Sequence, residues 1–245
     1  MTNARDLLAS WADKHDNDPE RPSIPAATVV VLRDGDRGLE TLLLRRNSKL
    51  QFAGGMWVFP GGRIDQDDYG DDPDDQYAAA AAAAVREAFE ESGQRLSVDS
   101  LQWFAHWSPP SIAPKRFATW FFLAAASDDA VAIDHGEIHD SLWASPAEAL
   151  RLVDAGEIEM APPTWVTLHD LAKSATVEEA LQDLGGREPR FYVTRVAKSP
   201  EGPVAMWEGD AGYETGDCAA PGSRHRLLMA KAGFRFEERQ EGEIG

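Results

Sequence analysis

The sequence predicts an α/β fold built as a mixed sheet with helices on both faces. Three observations predict it. Apolar runs of strand length alternate with helix-forming segments along the 245 residues. Their order lacks the regular strand–helix alternation of a doubly wound parallel sheet. One helix, Gln76 to Ser92, is marked by seven consecutive alanines and by Gly93 at the C-cap position.

The elements follow in order. "ATVVVLRDG" (Ala27 to Gly35) and "ETLLLRRNS" (Glu40 to Ser48) are apolar runs joined by a short polar turn, which predicts a hairpin. "MWVFPGGRI" (Met56 to Ile64) reads as a further strand running into Pro60-Gly61-Gly62. Between Asp65 and Asp75 lie seven aspartates with Gly70 and Pro73 as breakers, a solvated acidic insertion. It fails as a calcium loop, because Tyr69 and Gln76 stand where Asp/Asn and Glu are needed. After the alanine helix, "LQWFAHWSPP", "RFATWFFLAAAS" and "IHDSLWAS" read as strands. Ser145-Pro146 starts a helix, and "PPTWVTLHDLAKSA" and "TVEEALQDLG" are helical. "RFYVTRVA" and "RHRLLMAKAGFRFEER" close the chain as a carboxyl-terminal helical and strand elaboration. The expected organisation is an N-terminal extension, 1–25, and one domain, 26–245, with its core at about 26–160 and the acidic insertion at 65–75.

Composition narrows the function. With 43% hydrophobic and 27% charged residues, the chain is globular. A formal charge of −18 argues against nucleic-acid or anionic-membrane partners, which require a basic face. A phosphorylated small molecule stays open if cations are gathered locally. One cysteine, Cys218, excludes a disulfide framework and a multi-cysteine zinc site. No signal peptide, membrane span or carboxyl-terminal address is evident, so a cytoplasmic location is expected.

The chemistry is concentrated in "AAVREAFEESG", Ala83 to Gly93. On a helix, Glu87, Glu90 and Glu91 fall at i, i+3 and i+4 and share one face. Such carboxylates repel, and a hard divalent cation, Mg2+ or Mn2+, resolves the repulsion with oxygen ligands. Arg86, four residues before Glu90, can hold one carboxylate in place. The alternative is a solvated charged face with one ion pair.

"FPGGR" followed by "REAFEESG" resembles the Nudix box, Gly-x5-Glu-x7-Arg-Glu-U-x-Glu-Glu-x-Gly-U, with U apolar. Gly62 matches the first glycine, Arg86-Glu87 the central pair, Glu90-Glu91 the second pair and Gly93 the last glycine. Ten extra residues lie between Gly62 and Arg86, the first glutamate falls on Asp68 or is missing, and Gln94 replaces an apolar residue. "LLLRRNSKLQFAGGMWVFPGGRIDQDD", "HWSPPSIAPKRFATWFFLAA" and "GSRHRLLM" resemble the coenzyme A diphosphatase branch, the peroxisomal-type members in particular. Trp120 stands where that branch has an arginine.

The resemblance implies a Nudix-type α/β/α sandwich and metal-dependent hydrolysis of a nucleoside diphosphate linked to another group. Coenzyme A or acyl-coenzyme A is the first choice, yielding 3′,5′-ADP and 4′-phosphopantetheine. NADH or ADP-ribose as substrate, or a catalytically silent nucleotide-binding module, are the alternatives. Glu87, Glu90 and Glu91 are implied to hold the metal, with a backbone carbonyl from Gly62 or Gly61. Glu87, Glu90 and Arg86 form the catalytic set, Arg86 by orienting carboxylates; which glutamate serves as base stays open. Substrate phosphates would meet Arg46, Arg63, Lys115 and Arg116. Glu137 is read as surface, His106, His139 and His225 are not needed, and Trp57, Trp107 or Trp120 could stack on adenine. A second copy of the chain is a conceivable partner.

Overall fold

The computed structural model describes residues 4–12, 21–49 and 54–239. Residues 13–20 of the expected N-terminal extension, 50–53 of the loop after the hairpin, and the terminal 240–245 lie outside the described residues.

Strands β1 (Ile24–Gly35) and β2 (Gly38–Arg46) form the expected antiparallel hairpin. The run from Met56 to Ile64 is not one strand. It splits into β3 (Trp57–Val58), which pairs with β2, and β4 (Gly61–Arg63), which pairs with β1. Pro60 lies at the break, where a missing N–H and a fixed φ favour a change of partner. A helix, α1 (Ala4–Ala12), precedes the hairpin; a short 3-10 turn, Gln66–Tyr69, and the long helix α2 (Gln76–Ser92) follow β4.

Local chemistry fixes both ends of α2. Asp75 accepts a hydrogen bond from the Ala78 N–H at 2.9 Å, and Gly93, at φ 74°, donates its N–H to the Phe89 carbonyl at 2.8 Å. Next come β5 (Gln102–Ser108), β6 (Phe117–Ala125) and β7 (Ile138–Ala144). Helices α3 (Pro146–Asp154), α4 (Pro162–Leu171) and the short α5 (Val177–Ala180) follow, α5 running into a π turn, Leu181–Gly185. Strands β8 (Arg190–Val193), β9 (Arg195–Ser199), β10 (Gly202–Met206), β11 (Arg224–Ala230) and β12 (Gly233–Arg239) complete the described chain.

Among the described residues, β1 to β8 form one mixed sheet with the path β3-β2-β1-β6-β5-β8, while β4 pairs with β1 and β7 with β2. The β1–β6 and β5–β8 pairings are parallel. Alternation along the strands sorts the core into two sides. Val29, Val31, Leu42, Phe122 and Ala124 pack against the alanines of α2, whose small side chains let helix and sheet approach closely. Val30, Leu32, Leu43, Phe121 and Leu123 pack on the other side, toward α1, α3, α4 and the second sheet. This is the predicted α/β/α arrangement, with an antiparallel sheet, β12-β11-β10-β9, added to one outer layer. Trp207, fully buried, joins the two sheets by meeting Trp107 and Tyr192 edge-on, the latter two stacked at 3.8 Å. Helix α1, in the stretch expected to be an extension, buries Ala4 and Leu8 in this same core.

Candidate active site

A cleft of about 770 Å³ opens where β4, the last two turns of α2 and the start of β6 meet. Clefts of this size are typical of small-molecule sites. Glu87, Glu90, Glu91, Arg86, Gly62, Arg46, Arg63 and Lys115 all line it. The structure thus gathers the sequence-predicted residues, with one exception.

That exception is Arg116. It is buried, and its guanidinium donates to the backbone carbonyls of Arg21 and Pro109, the latter at 3.4 Å. It does not line the cleft. Both residues precede β6, and the carbonyls that hold the Arg116 guanidinium turn it away from the cleft that Lys115 lines.

The glycines act by having no side chain. A Cβ on Gly61 would collide with the Ala27 carbonyl oxygen, and one on Gly62 would collide with the Glu87 carboxylate. Gly61 then donates its N–H to Glu91 Oε2 at 2.9 Å. Glu91 is only 5% exposed. Its nearest guanidinium, that of Arg46, lies 3.8 Å away, too far for a direct hydrogen bond. Burial, with Glu87 and Glu137 adding to it against the Gly61 N–H and Arg46, pushes the Glu91 carboxyl up to about 8. Burial also raises Glu87, although Arg86 opposes it.

Arg86 is the hub of the helix face. Its Nε and Nη2 donate to the two oxygens of Asp68 at 3.0 and 2.8 Å, a bidentate pair. Nη1 reaches Glu87 at 2.9 Å and Glu90 at 3.2 Å, and Nη2 also donates to the Arg63 carbonyl at 3.0 Å. Asp68 accepts the Asp65 N–H at 2.8 Å as well, and although burial would raise it, these donors hold its carboxyl below the ordinary value. The acidic stretch is therefore a 3-10 turn carrying a half-buried arginine clamp, followed by exposed aspartates and the N-cap of α2. Only its second half is a plain solvated loop.

A register shift between Arg45 and Arg46 in the β2–β7 pairing accompanies the turn of Arg46 into the cleft. Its Nη2 lies 3.4 Å from Glu137, and its buried Nε has no hydrogen-bond partner among the described residues. Glu137, expected on the surface, lines the cleft although 63% of its side chain is exposed. Asp134 was not singled out by the sequence. Its carboxylate accepts the N–H groups of Gly136, Glu137 and Ile138, at 3.2, 2.8 and 2.9 Å, and so shapes the loop that carries Glu137. An Asp two residues before a glycine is the turn signal that marks it. Thr28 and Thr119, hydroxyls within apolar strand runs, also line the cleft and were not anticipated.

The remaining expectations fall elsewhere. Gln94 is buried and satisfied: it donates to the Asp129 carbonyl at 2.8 Å and accepts the Ser127 N–H at 3.1 Å, tying the loop after β6 to the end of α2. Trp120 packs with Trp103, Tyr77 and His106 on the α2 side of the sheet, away from the cleft. Trp57 and Trp107 are core residues. His106, His139 and His225 do not line the cleft.

A family model of the NUDIX domain matches residues 22–183. The chain belongs to the Nudix family. A Caenorhabditis elegans relative, provisionally named nudix hydrolase 7, is 26% identical over 186 residues. That match spans 60% of this chain and 60% of the relative's length. Among solved structures, a Nudix hydrolase from Alicyclobacillus acidocaldarius superimposes with a TM-score of 0.61 at 24% identity, covering 69% of this chain and all of that one. The NUDIX domain of Shewanella oneidensis NrtR, solved with ADP ribose, gives a TM-score of 0.46 at 19% identity over 67% of this chain and 96% of its own.

Nudix hydrolases use divalent metal ions. Among the described residues, no three His, Cys, Asp or Glu side chains are drawn together as a ready cluster, because Arg86 holds Glu87 and Glu90 toward itself. The donor set nonetheless fits a hard cation. Glu91 is buried and Glu87 half-buried beside it, one guanidinium is shared among three carboxylates, and the missing Cβ of Gly62 lets the Glu87 carboxylate lie against the glycine backbone.

Proposed function

We propose that this Nudix chain is a Mg2+- or Mn2+-dependent pyrophosphohydrolase of a nucleoside diphosphate linked to a second group, with coenzyme A or acyl-coenzyme A as substrate. Its products are 3′,5′-ADP and (acyl-)4′-phosphopantetheine. The observation that carries the reading is the surplus of buried carboxylate on α2, facing Arg46, Arg63 and Lys115 across one cleft. An acidic helix face alone would repel a diphosphate, and cations alone would bind one without activating water.

Glu87, Glu90 and Glu91, with the Gly62 carbonyl, would hold the metal. Bound there, the dication supplies positive charge against the phosphate oxygens and acidifies water. Arg86 is a positioning residue: its grip on Asp68 fixes the guanidinium, which in turn fixes Glu87 and Glu90. One of the three glutamates accepts the proton of the attacking water, and Arg46, Arg63 and Lys115 bind the phosphates. Residues 26–245 act as one domain in this reading, behind the extension 1–25. A cytoplasmic setting suits the single, half-buried Cys218.

Incubation with Mg2+ and a panel of coenzyme A, acyl-coenzyme A, NADH and ADP-ribose tests the reading. Cleavage of coenzyme A or its acyl esters at the diphosphate is the expected result. Cleavage of NADH or ADP-ribose with coenzyme A untouched overturns the choice of branch. No turnover of any member, together with ligand binding unchanged in Glu90→Gln, overturns the hydrolase itself.

A further inference from the structure

Behind the polar cleft lies a second cavity of about 200 Å³. The two share a rim. Thr28, Val58, Phe59, Lys115, Phe117 and Thr119 line both. Beyond that shared rim the walls change character. Leu7, Leu8 and Trp11 of α1 close one side, and Pro109, Pro110 and Pro162 another. Lys115 is the single charged residue among the described residues lining it, and its Nζ sits 5.2 Å above the Phe117 ring, at the junction of the two spaces.

We infer that this apolar cavity is the subsite for the group esterified to the outer phosphate of the substrate, and that this group is aliphatic rather than a sugar. The inference rests on the reading of the cleft as the diphosphate site.

Placement comes first. A diphosphate lying between the α2 carboxylates and Lys115 has one end at the mouth of the apolar cavity, because Lys115 belongs to both linings. Whatever is esterified there must enter it or turn back to solvent. The chemistry of the walls then selects. A ribose presents vicinal hydroxyls, which proteins commonly grip with a carboxylate. No Asp, Glu, Asn, Gln, Arg or His is found among the described residues lining this cavity. Its hydroxyl groups are in part committed: Thr119 donates to the Phe117 carbonyl at 3.3 Å, and Thr194 accepts from the Trp207 indole at 3.1 Å. A buried sugar would keep polar groups unpaired, whereas each methylene removed from water gains about fourfold in affinity before ordering costs. Space is adequate, since an apolar cavity of about 150 Å³ already takes up benzene.

The helix that closes the cavity lies outside the stretch matched by the family model, so this selectivity belongs to the present chain's own amino-terminal segment.

Two pairs of probes test the inference. Hexyl phosphate and ribose 5-phosphate contain no anhydride, so calorimetric titration reads their binding without turnover. Hexyl phosphate is expected to bind at least about tenfold more tightly. The β-hexyl ester of ADP and ADP-ribose, each hydrolysed with water to AMP and the corresponding monophosphate, should show the same order in kcat/KM. Leu7→Trp, which fills the cavity from α1, and Ala161→Phe, which fills it from the start of α4, should each erase the preference; thermal melts confirm that the variants are folded. Equal binding of the two monophosphates, or a preference that survives both variants, overturns the inference. Failure of the functional reading looks different: neither ADP derivative is cleaved with Mg2+, while hexyl phosphate still binds and Leu7→Trp still abolishes that binding.

Discussion

Two clusters of carboxylate and guanidinium groups, one buried and one half-buried, are built on opposite principles in this molecule. In the second sheet, Asp210 and Arg226 match one to one. Arg226 donates through Nε and Nη2 to the two Asp210 oxygens, each at 2.6 Å, and Asp210 also accepts the N–H groups of His225 and Gly212 at 3.0 and 2.8 Å. The remaining Arg226 nitrogen, Nη1, donates to the Cys218 carbonyl at 2.8 Å. Every lone pair has a partner, and although burial would raise the Asp210 carboxyl, Arg226 and the backbone donors hold it below its ordinary value. On α2 the ratio is reversed. Arg86 divides itself among Asp68, Glu87 and Glu90, while Glu91 has one backbone N–H and a distant Arg46. Burial wins there and raises both Glu87 and Glu91. A closed pair holds a fold together, and an open surplus of buried negative charge calls for a cation from outside.

Substitutions should separate the two. Arg226→Met leaves Asp210 buried and unpaired, and removing one partner of such a pair costs about 3–5 kcal/mol of stability. Urea denaturation should show that loss. Glu91→Gln should do the reverse. It keeps an oxygen to accept the Gly61 N–H and removes the cost of taking up a proton, or of burying a charge, on folding, so the unfolding free energy should hold or rise. Turnover with Mg2+ should nevertheless fall about 10²–10³-fold, the scale for losing one preorganised electrostatic group. If Glu91→Gln destabilised the protein and spared turnover, the surplus would be structural and the comparison would collapse. Asp68→Ala has a smaller expected effect, about 10–100-fold in metal affinity or activity, because Asp68 acts through Arg86. A rise in the Mg2+ concentration needed for half-maximal rate, with the melting temperature little changed, would identify that indirect role.

How far these clusters were legible differs as well. The α2 set was visible because it is local: helical spacing puts Glu87, Glu90 and Glu91 on one face, and alanines, Asp75 and Gly93 fix the helix ends without help from the rest of the fold. The hairpin was legible for the same reason. Asp68 was harder to read, since the residues looping out between the 3-10 turn and α2 disturb the spacing that would pair it with Arg86. Glu137 and Arg116 depend on direction, not on identity. The Asp134 turn before β7 and the Arg21 and Pro109 carbonyls that hold Arg116 decide which side chains enter the cleft, and neither is written in local composition. The Asp210–Arg226 pair joins the stretch after β10 to β11, a tertiary match that composition does not announce. Likewise the apolar run from Met56 to Ile64 concealed a change of strand partner at Pro60.

Titration sharpens the comparison, because the two clusters must respond to pH with opposite signs. Asp210, at 3.8 when unpaired, is held lower in the fold, so below that value the unfolded chain binds a proton that the native state does not. Its stabilisation is complete above pH 3.8 and is lost as the pH falls through the lower native value. Glu91 runs the other way. Its carboxyl moves from 4.5 to about 8 in the fold, so between those values the native state retains a proton the unfolded chain has released. Stability should therefore fall as the pH rises across that window, by up to about 1.4 kcal/mol per pH unit. Urea denaturation at a series of pH values in EDTA should show this decline, and Glu91→Gln should flatten it. Added Mg2+ should flatten it too, because a cation that binds the ionised carboxylate favours loss of the proton and stabilises the native state by mass action. A decline that Mg2+ leaves untouched while Glu91→Gln abolishes it would mean that Glu91 is buried for reasons other than holding a metal.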